Sequence, residues 1–393
     1  MNDWRVGIIG AGIGGLCLAQ GLAKAGIAVE IHEIDSSAHS RGQGYRLRID
    51  AVGQQALARC LTPANDQLWR ASCPRMEQPA RFIDPQLHPQ EQRVPRHWAP
   101  GCAPVEDLCV HRQTLREVLC DGLEEHIHWH HPLHSFHPDG SGVELRFANA
   151  SRRRVDLLVA ADGVGSMIRR QLLPQATVHD SGAICLYGKT PLTAKVLHAL
   201  EPQWLQGTSV VFADGFSLVI EPMRFNRDLA LLPAQYGSNC RLSAVDDYLY
   251  WAFIGPGTRL AGKDLARTDS AAWQAHLRVL SADWHPQLRS VLEHGDASVL
   301  SVRTVYSASQ VPDWPSGRVT LLGDAIHPMS PAGGLGANSA LHDAALLADT
   351  LASVSCAQQL PAAVQRYEDA MRQHANQALQ TTRLANQRLF DRS

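Results

Sequence analysis

The chain lacks an excess of charge of either sign: 36 Lys and Arg stand against 38 Asp and Glu, a formal net charge of -2. No global field therefore draws nucleic acid or an anionic membrane, and neither is expected as a partner. Long apolar runs are also missing, none approaching the ~20 residues that span a bilayer. The opening Met1-Asn2-Asp3-Trp4-Arg5 has neither the apolar core nor the cleavage site of a signal peptide. The nine cysteines, from Cys17 to Cys356, contain no CxxC pair. An odd, unpatterned set suits buried thiols in a reducing compartment better than a disulfide framework. The expected location is the cytoplasm. Internal repeats and low-complexity tracts are absent too.

What is present is material for two intimately joined domains: 393 residues, 45% of them hydrophobic. Val6-Gly7-Ile8-Ile9 reads as an apolar strand, Leu16 to Lys24 as a helix stopped by Gly26, and Ala28 to Glu33 as the next strand. The stretch from Ala71 to Glu106 reads mostly as loop with short extended pieces. Arg112 to Leu123 reads as a helix, with strands following near Ile127-Trp129 and Val143-Phe147. Val155 to Ala160 is apolar throughout, as befits a strand covered on both faces. From about Ile184 to Phe253 the pattern alternates like a solvent-backed antiparallel sheet. Val319 to Leu322 returns to a buried strand, and Ser339 to Leu351 and Ala362 to Leu389 read as helices. The expected fold is α/β: a Rossmann-like nucleotide-binding domain in two parts, 1–180 and 301–350, an inserted antiparallel β-sheet substrate domain over 181–300, and C-terminal helices over 351–393.

Three loops carry the chemistry. The first is Gly10-Ala11-Gly12-Ile13-Gly14-Gly15, between a strand and a helix. Its glycines permit a tight turn, close approach of backbone N–H groups to a pyrophosphate, and close packing of helix on strand. Glu33 ends the second strand about 20 residues on, where an acid can accept hydrogen bonds from a ribose. The second loop is Asp162-Gly163-Val164-Gly165-Ser166 with Arg169, at the end of a buried strand; Ser166 can cap a helix or bind phosphate. The third is Gly323-Asp324-Ala325-Ile326-His327-Pro328, continuing through Pro331, Gly334 and Gly336 to Asn338. Such a Pro/Gly-rich loop leaves backbone N–H groups to face an anion or a heterocycle carbonyl.

In this order, over almost the whole chain, the three loops resemble the group A flavoprotein monooxygenases, the family of para-hydroxybenzoate hydroxylase and the tetracycline-inactivating enzymes. The resemblance implies FAD as cofactor. Gly10, Gly12, Gly15 and Glu33 would hold its ADP half, Asp162 and Gly163 its pyrophosphate region, and Gly323 and Asp324 its ribityl chain. Gly334, Gly336 and Asn338 would lie beside the flavin ring. Arg41-Gly42-Gln43-Gly44 looks like the stretch that folds back against the ring, and Arg112 like an arginine that reaches the phosphates or ribose. Leu335 stands where many members carry glutamine, and Met329-Ser330 where a second proline is common.

The implied reaction takes electrons from NADPH or NADH, bound transiently without a fold of its own, and puts one atom of dioxygen onto an aromatic or polycyclic substrate. A reductase or dehydrogenase on the same scaffold, or a flavin-bound ligand-binding protein without turnover, are the alternatives. The substrate is expected between flavin and antiparallel sheet, against Tyr187, Phe212, Phe216 and Met223, with Arg46, His327 and Pro331 as flavin-adjacent candidates. No metal is expected. The run His126-Ile127-His128-Trp129-His130-His131 would put three imidazoles on one strand face, but no Cys or carboxylate cluster completes a site there. Arg152-Arg153-Arg154 reads as a solvated loop or a weak site for a phosphate of NADPH.

Overall fold

A computed structural model of the protein describes residues 3–40, 45–90, 92, 105–213, 215–260 and 269–390. Its first sheet is parallel, built from β1 (Arg5–Ile9), β2 (Ala28–His32), β6 (Ile127–His128), β10 (Leu157–Ala160) and β16 (Val319–Leu321) in the order β16-β10-β1-β2-β6. All four residues of β10 are buried, as a strand covered on both faces requires. One cover is helical: α1 (Ile13–Lys24) packs on α2 (Ala51–Cys60) and α11 (Gly336–Ala352). Gly21 permits this, because a Cβ there would sit 2.6 Å from Ala348 Cβ and 3.1 Å from Cys60 Sγ. The other cover is a meander of β7 (Leu133–Pro138), β8 (Val143–Phe147) and β9 (Arg152–Val155), whose Val155 and Leu145 press on Gly7 of β1. The short α3 (Pro63–Ala71), α4 (Arg112–Cys120) and α5 (Met167–Leu172), a pair β3 (Leu47–Ile49) and β5 (Leu108–Val110), and the long α12 (Leu360–Phe390) complete this half.

The second sheet has the order β15-β11-β14-β13-β12-β4. Its members are β4 (Arg81–Ile83), β11 (Val178–Pro191), β12 (Ser209–Ala213), β13 (Phe216–Met223), β14 (Tyr248–Pro256) and β15 (Ser301–Ala308). All pairs are antiparallel except β12 with β4. Alternation along β11 and β14 divides two faces. Leu186, Leu249, Trp251 and Phe253 pack with Trp273 of α9 (Ser270–Leu280) and Leu288 of α10 (Pro286–Glu293), beside α6 (Ala194–Ala199). Cys185, Tyr248, Tyr250 and Ala252 form a separate cluster on the opposite face, with Tyr187 packed against it. The single turns α7 (Leu232–Gln235) and α8 (Gly257–Leu260) lie in connections.

Several local expectations change. The antiparallel sheet is not solvent-backed: eight residues of β14 are buried, because helices cover the face that water was expected to cover. Within 71–106 one of the short extended pieces expected there, β4, pairs at the sheet edge. The helix from Arg112 stops at Cys120, since Gly122 takes a left-handed φ of 76°. The histidine run does not align on a strand: only Ile127 and His128 are extended, and His130 sits at φ 52°. Arg152, Arg153 and Arg154 lie in β9, not a loop, and Arg154 pairs with Asp139 at 2.7 Å. Among the described residues no helix is long and apolar enough to cross a membrane.

Candidate functional site

A cavity of about 870 Å³ runs from the parallel sheet's loops to the antiparallel sheet. That is near the upper end of the ~300–1,000 Å³ typical of small-molecule sites. At its first end Gly10, Gly12 and Gly15 line it with Glu33. Gly10 has φ 109°, and a Cβ there would fall 2.3 Å from Ala161 O; at Gly15 a Cβ would fall 2.1 Å from Gly10 O. Both positions thus demand glycine on steric grounds. Gly12 differs, since a Cβ there would meet nothing within 4 Å and would project into open space. Gly12 also N-caps α1, with no side chain capping and no acid in the first turn, so the positive end of the helix dipole is left uncompensated. Glu33 is buried, accepting from Ala11 N–H at 2.6 Å and Asp35 N–H at 2.9 Å. Each carboxylate oxygen retains a second lone pair for a ligand hydroxyl.

The second loop crosses the cavity at Asp162 and Gly163, the latter at φ 75°. Asp162 Oδ2 accepts from Met167 N–H at 3.0 Å, while its buried Oδ1 has no partner among the described residues. Burial pushes the Asp162 carboxyl up from its ordinary value. Ser166 is fully buried and caps α5 by accepting from Arg169 N–H at 3.0 Å, which removes it as a phosphate ligand. Arg169 donates to Val164 O and Ala325 O, both at 2.8 Å, and so ties the second loop to the third.

In the third loop Gly323, Asp324, Pro331, Gly334 and Gly336 line the cavity together with Arg112 of α4. Asp324 faces the open space, yet surrounding protein raises its carboxyl pKa, with His327 and Arg112 pulling the other way. His327 lies behind this surface, wholly buried, with Nε2 2.6 Å from Asp343 Oδ2. Burial opposes both charges; even so Asp343 holds the imidazole above its usual value, and His327 holds the carboxyl below its own. Asp343 Oδ2 also accepts from Gly323 N–H at 2.9 Å, fixing the turn that presents Asp324. Asn338 is a brace as well: it donates to Arg48 O and Gly334 O and accepts from Asp50 N–H, off the cavity wall.

The far end is walled by Tyr45, Arg46, Cys185, Tyr187 and Tyr250. The rings of Tyr45 and Tyr187 stack at 6.3 Å, Tyr187 and Tyr250 are 6.4 Å apart, and Arg46 lies 5.5 Å over Tyr250. Arg46 donates through Nε to Glu221 Oε1 at 2.7 Å and through a second nitrogen to Oε2, a bidentate pair with Glu221 fully buried. Burial works against both ions, but each raises or lowers the other toward its charged form. Burial lifts the Tyr45 phenol to about 12 and also raises those of Tyr187 and Tyr250, so all three stay neutral.

The other wall candidates lie elsewhere. Phe216 packs on Phe253 at 5.8 Å on the helix-backed face, because its place in β13 points it away from the cavity. Phe212 pairs with Phe82 at the sheet edge, and Met223 is buried behind the tyrosines. Arg41 lies outside the described residues. Sequence reasoning missed Tyr45, Tyr250 and Glu221. The period-two alternation of β13 and β14 would have separated their faces, but nothing local shows which face meets a cavity. It also missed a histidine group at the Glu33 end: His32 and His131 line the cavity with their Nδ1 atoms 2.8 Å apart.

A family model described as FAD binding domain matches residues 101–382. A dual O-methyltransferase/FAD-dependent monooxygenase of Phaeosphaeria nodorum is 35% identical over 88% of this chain, and one of Cercospora beticola 31% over 98%. The chain spans only 40% and 46% of those two relatives' length. A solved structure from Photorhabdus luminescens, described as an FAD-containing monooxygenase, superposes with a TM-score of 0.83 at 30% identity, covering 98% of this chain and 99% of the other.

Proposed function

The chain belongs to the FAD binding domain family, the group A flavoproteins that its motifs resemble, and on that footing we propose that it is an FAD-dependent monooxygenase acting on an aromatic small molecule with NADPH or NADH and dioxygen. The observation that carries this reading is the continuous cavity joining three glycine–acid loops to a wall of tyrosines. A site for a dinucleotide alone would not need the second end.

FAD fits the first end on the chain's own geometry. The open space over Gly12 and the uncapped start of α1 suit a pyrophosphate, Glu33 a ribose, and Asp324 with Arg112 a polyol chain. When bound, the flavin supplies the electron transfer and oxygen activation that no side chain here provides. The protein's part is positioning. Tyr187 and Tyr250 offer flat apolar faces with neutral hydroxyls, so they can stack on an aromatic ring and donate a hydrogen bond to its oxygen. Arg46, held by Glu221, brings a fixed positive charge to the same wall, favourable to charge developing on a ring oxygen.

The test is an absorbance spectrum of purified protein, then anaerobic addition of NADPH or NADH with a panel of phenols and polycyclic aromatics. A yellow protein that bleaches faster with one compound, and consumes oxygen in step with nicotinamide oxidation, bears the proposal out. A colourless protein that FAD cannot reconstitute would sink it.

A further inference from the structure

Behind the third loop, two helices bring together two histidines that do not line the cavity and the free oxygen of Asp343. His342 and Asp343 lie on α11 and His374 on α12, each offering one ligand atom, and these atoms lie within 4.8 Å of one another. His342 Nδ1, Asp343 Oδ1 and His374 Nδ1 are all buried atoms without a hydrogen-bond partner among the described residues. An unmade bond at a buried polar atom costs about 1–3 kcal/mol, so three in one place call for a common partner. Asp343 itself is wholly buried.

We propose that His342, Asp343 and His374 form a binding site for a divalent transition-metal ion, zinc by ligand preference, with water in the fourth position. Two imidazoles and a carboxylate suit zinc in a three-ligand site with one open position. The carboxylate is already oriented to ligate. Its Oδ2 is engaged by Gly323 N–H at 2.9 Å and by His327 at 2.6 Å, which leaves Oδ1 facing the imidazoles. Such outer partners are what fix a ligating group. A small cavity of about 150 Å³ reaches His374, with Asp50, Ser339, Gln377 and Thr381 among its other lining residues. The imidazoles of His342 and His374 stack, with centroids 3.9 Å apart and planes at 19°. An ion must lie in the plane of both rings, so binding opens this stack by rotating a ring. The site is distinct from the histidines at the Glu33 end, and it stands one carboxylate away from the Gly323-Asp324 turn. Loading should therefore stiffen that turn, whatever reaction the cavity carries.

The experiment uses the untagged full chain, stripped with a chelator, and isothermal titration with zinc chloride, alongside His342→Gln, His374→Gln and the control His131→Gln. The expected result is about one ion per chain at micromolar affinity, weakened at least about tenfold in the first two variants and unchanged in the control. Absence of saturable binding, or equal affinity in all variants, overturns the proposal. If a variant fails to fold, anomalous scattering at the zinc edge from soaked wild-type crystals decides instead. Density between His342, Asp343 and His374 supports the site; density only elsewhere, or none, rejects it.

Discussion

The two ends of the large cavity are built differently. The loop end is made of backbone: Gly10, Gly12, Gly15, Gly163, Gly323 and Gly334, with Glu33 and Asp324 among them. The wall end is made of side chains from Tyr45, Arg46, Tyr187 and Tyr250, with Glu221 holding Arg46 from behind. At Gly10 and Gly15 the backbone leaves no room for an added carbon, whereas the space over Gly12 stays open to a ligand. A side-chain site tolerates change of shape yet depends on a buried ion pair that links residues 175 positions apart. The first end is thus fixed by backbone sterics and the second by the choice and pairing of side chains.

That contrast can be broken most forcefully at Gly15. Gly15→Val places carbon against Gly10 O, where even a Cβ would sit at 2.1 Å. It should destabilise by ~4–5 kcal/mol or more and abolish FAD retention, read from a denaturant titration and the flavin spectrum. Retention of flavin by that variant would mean the loop is not the cofactor cradle.

At the wall, Glu221→Ala leaves the half-buried Arg46 guanidinium without its carboxylate, an expected loss of up to about 3–5 kcal/mol in unfolding free energy from a denaturant titration. Replacing both partners by apolar residues should cost far less than the single change. The sign of the pH effect follows from Glu221 itself, whose carboxyl is held below its ordinary value of 4.5. Its stabilisation is fully present above that value and is lost as pH falls through the lowered folded value. Glu221→Gln should therefore flatten the acid limb of stability against pH while leaving the neutral region level.

Smaller effects sharpen the comparison. Ser166→Ala removes the cap of α5 and should cost about 1 kcal/mol without altering substrate affinity, since Ser166 is buried away from any ligand. Tyr187→Phe keeps the ring and removes the hydroxyl. It should leave FAD affinity unchanged and weaken an aromatic substrate by roughly 2–10-fold, a loss of about 0.5–1.5 kcal/mol. A change in FAD affinity instead would show that the two ends are not separable.

The loop end was legible in the sequence because its information is local. A glycine that must take positive φ, as at Gly10, Gly163 and Gly323, announces itself within a few residues of the strand and helix it joins. The alternation of the antiparallel strands was legible for the same reason, since side-chain direction repeats every two residues. What alternation cannot say is what lies beyond each face. Hence Phe216 was expected at the cavity and packs under helices, while Tyr250, far along the chain from Tyr45, joins it in the wall. His327 was a flavin-adjacent candidate; the turn at Gly323 directs it inward to Asp343.

The glycine turns, the acids at strand tips and the two kinds of sheet could be read along the chain, because backbone sterics and side-chain period act between neighbours. Which side chains meet across long intervals was settled in three dimensions: Arg46 with Glu221, and His342 and Asp343 with His374. Those meetings are set by helix packing and strand order, which depend on the burial of the whole core and leave no mark at the residues concerned.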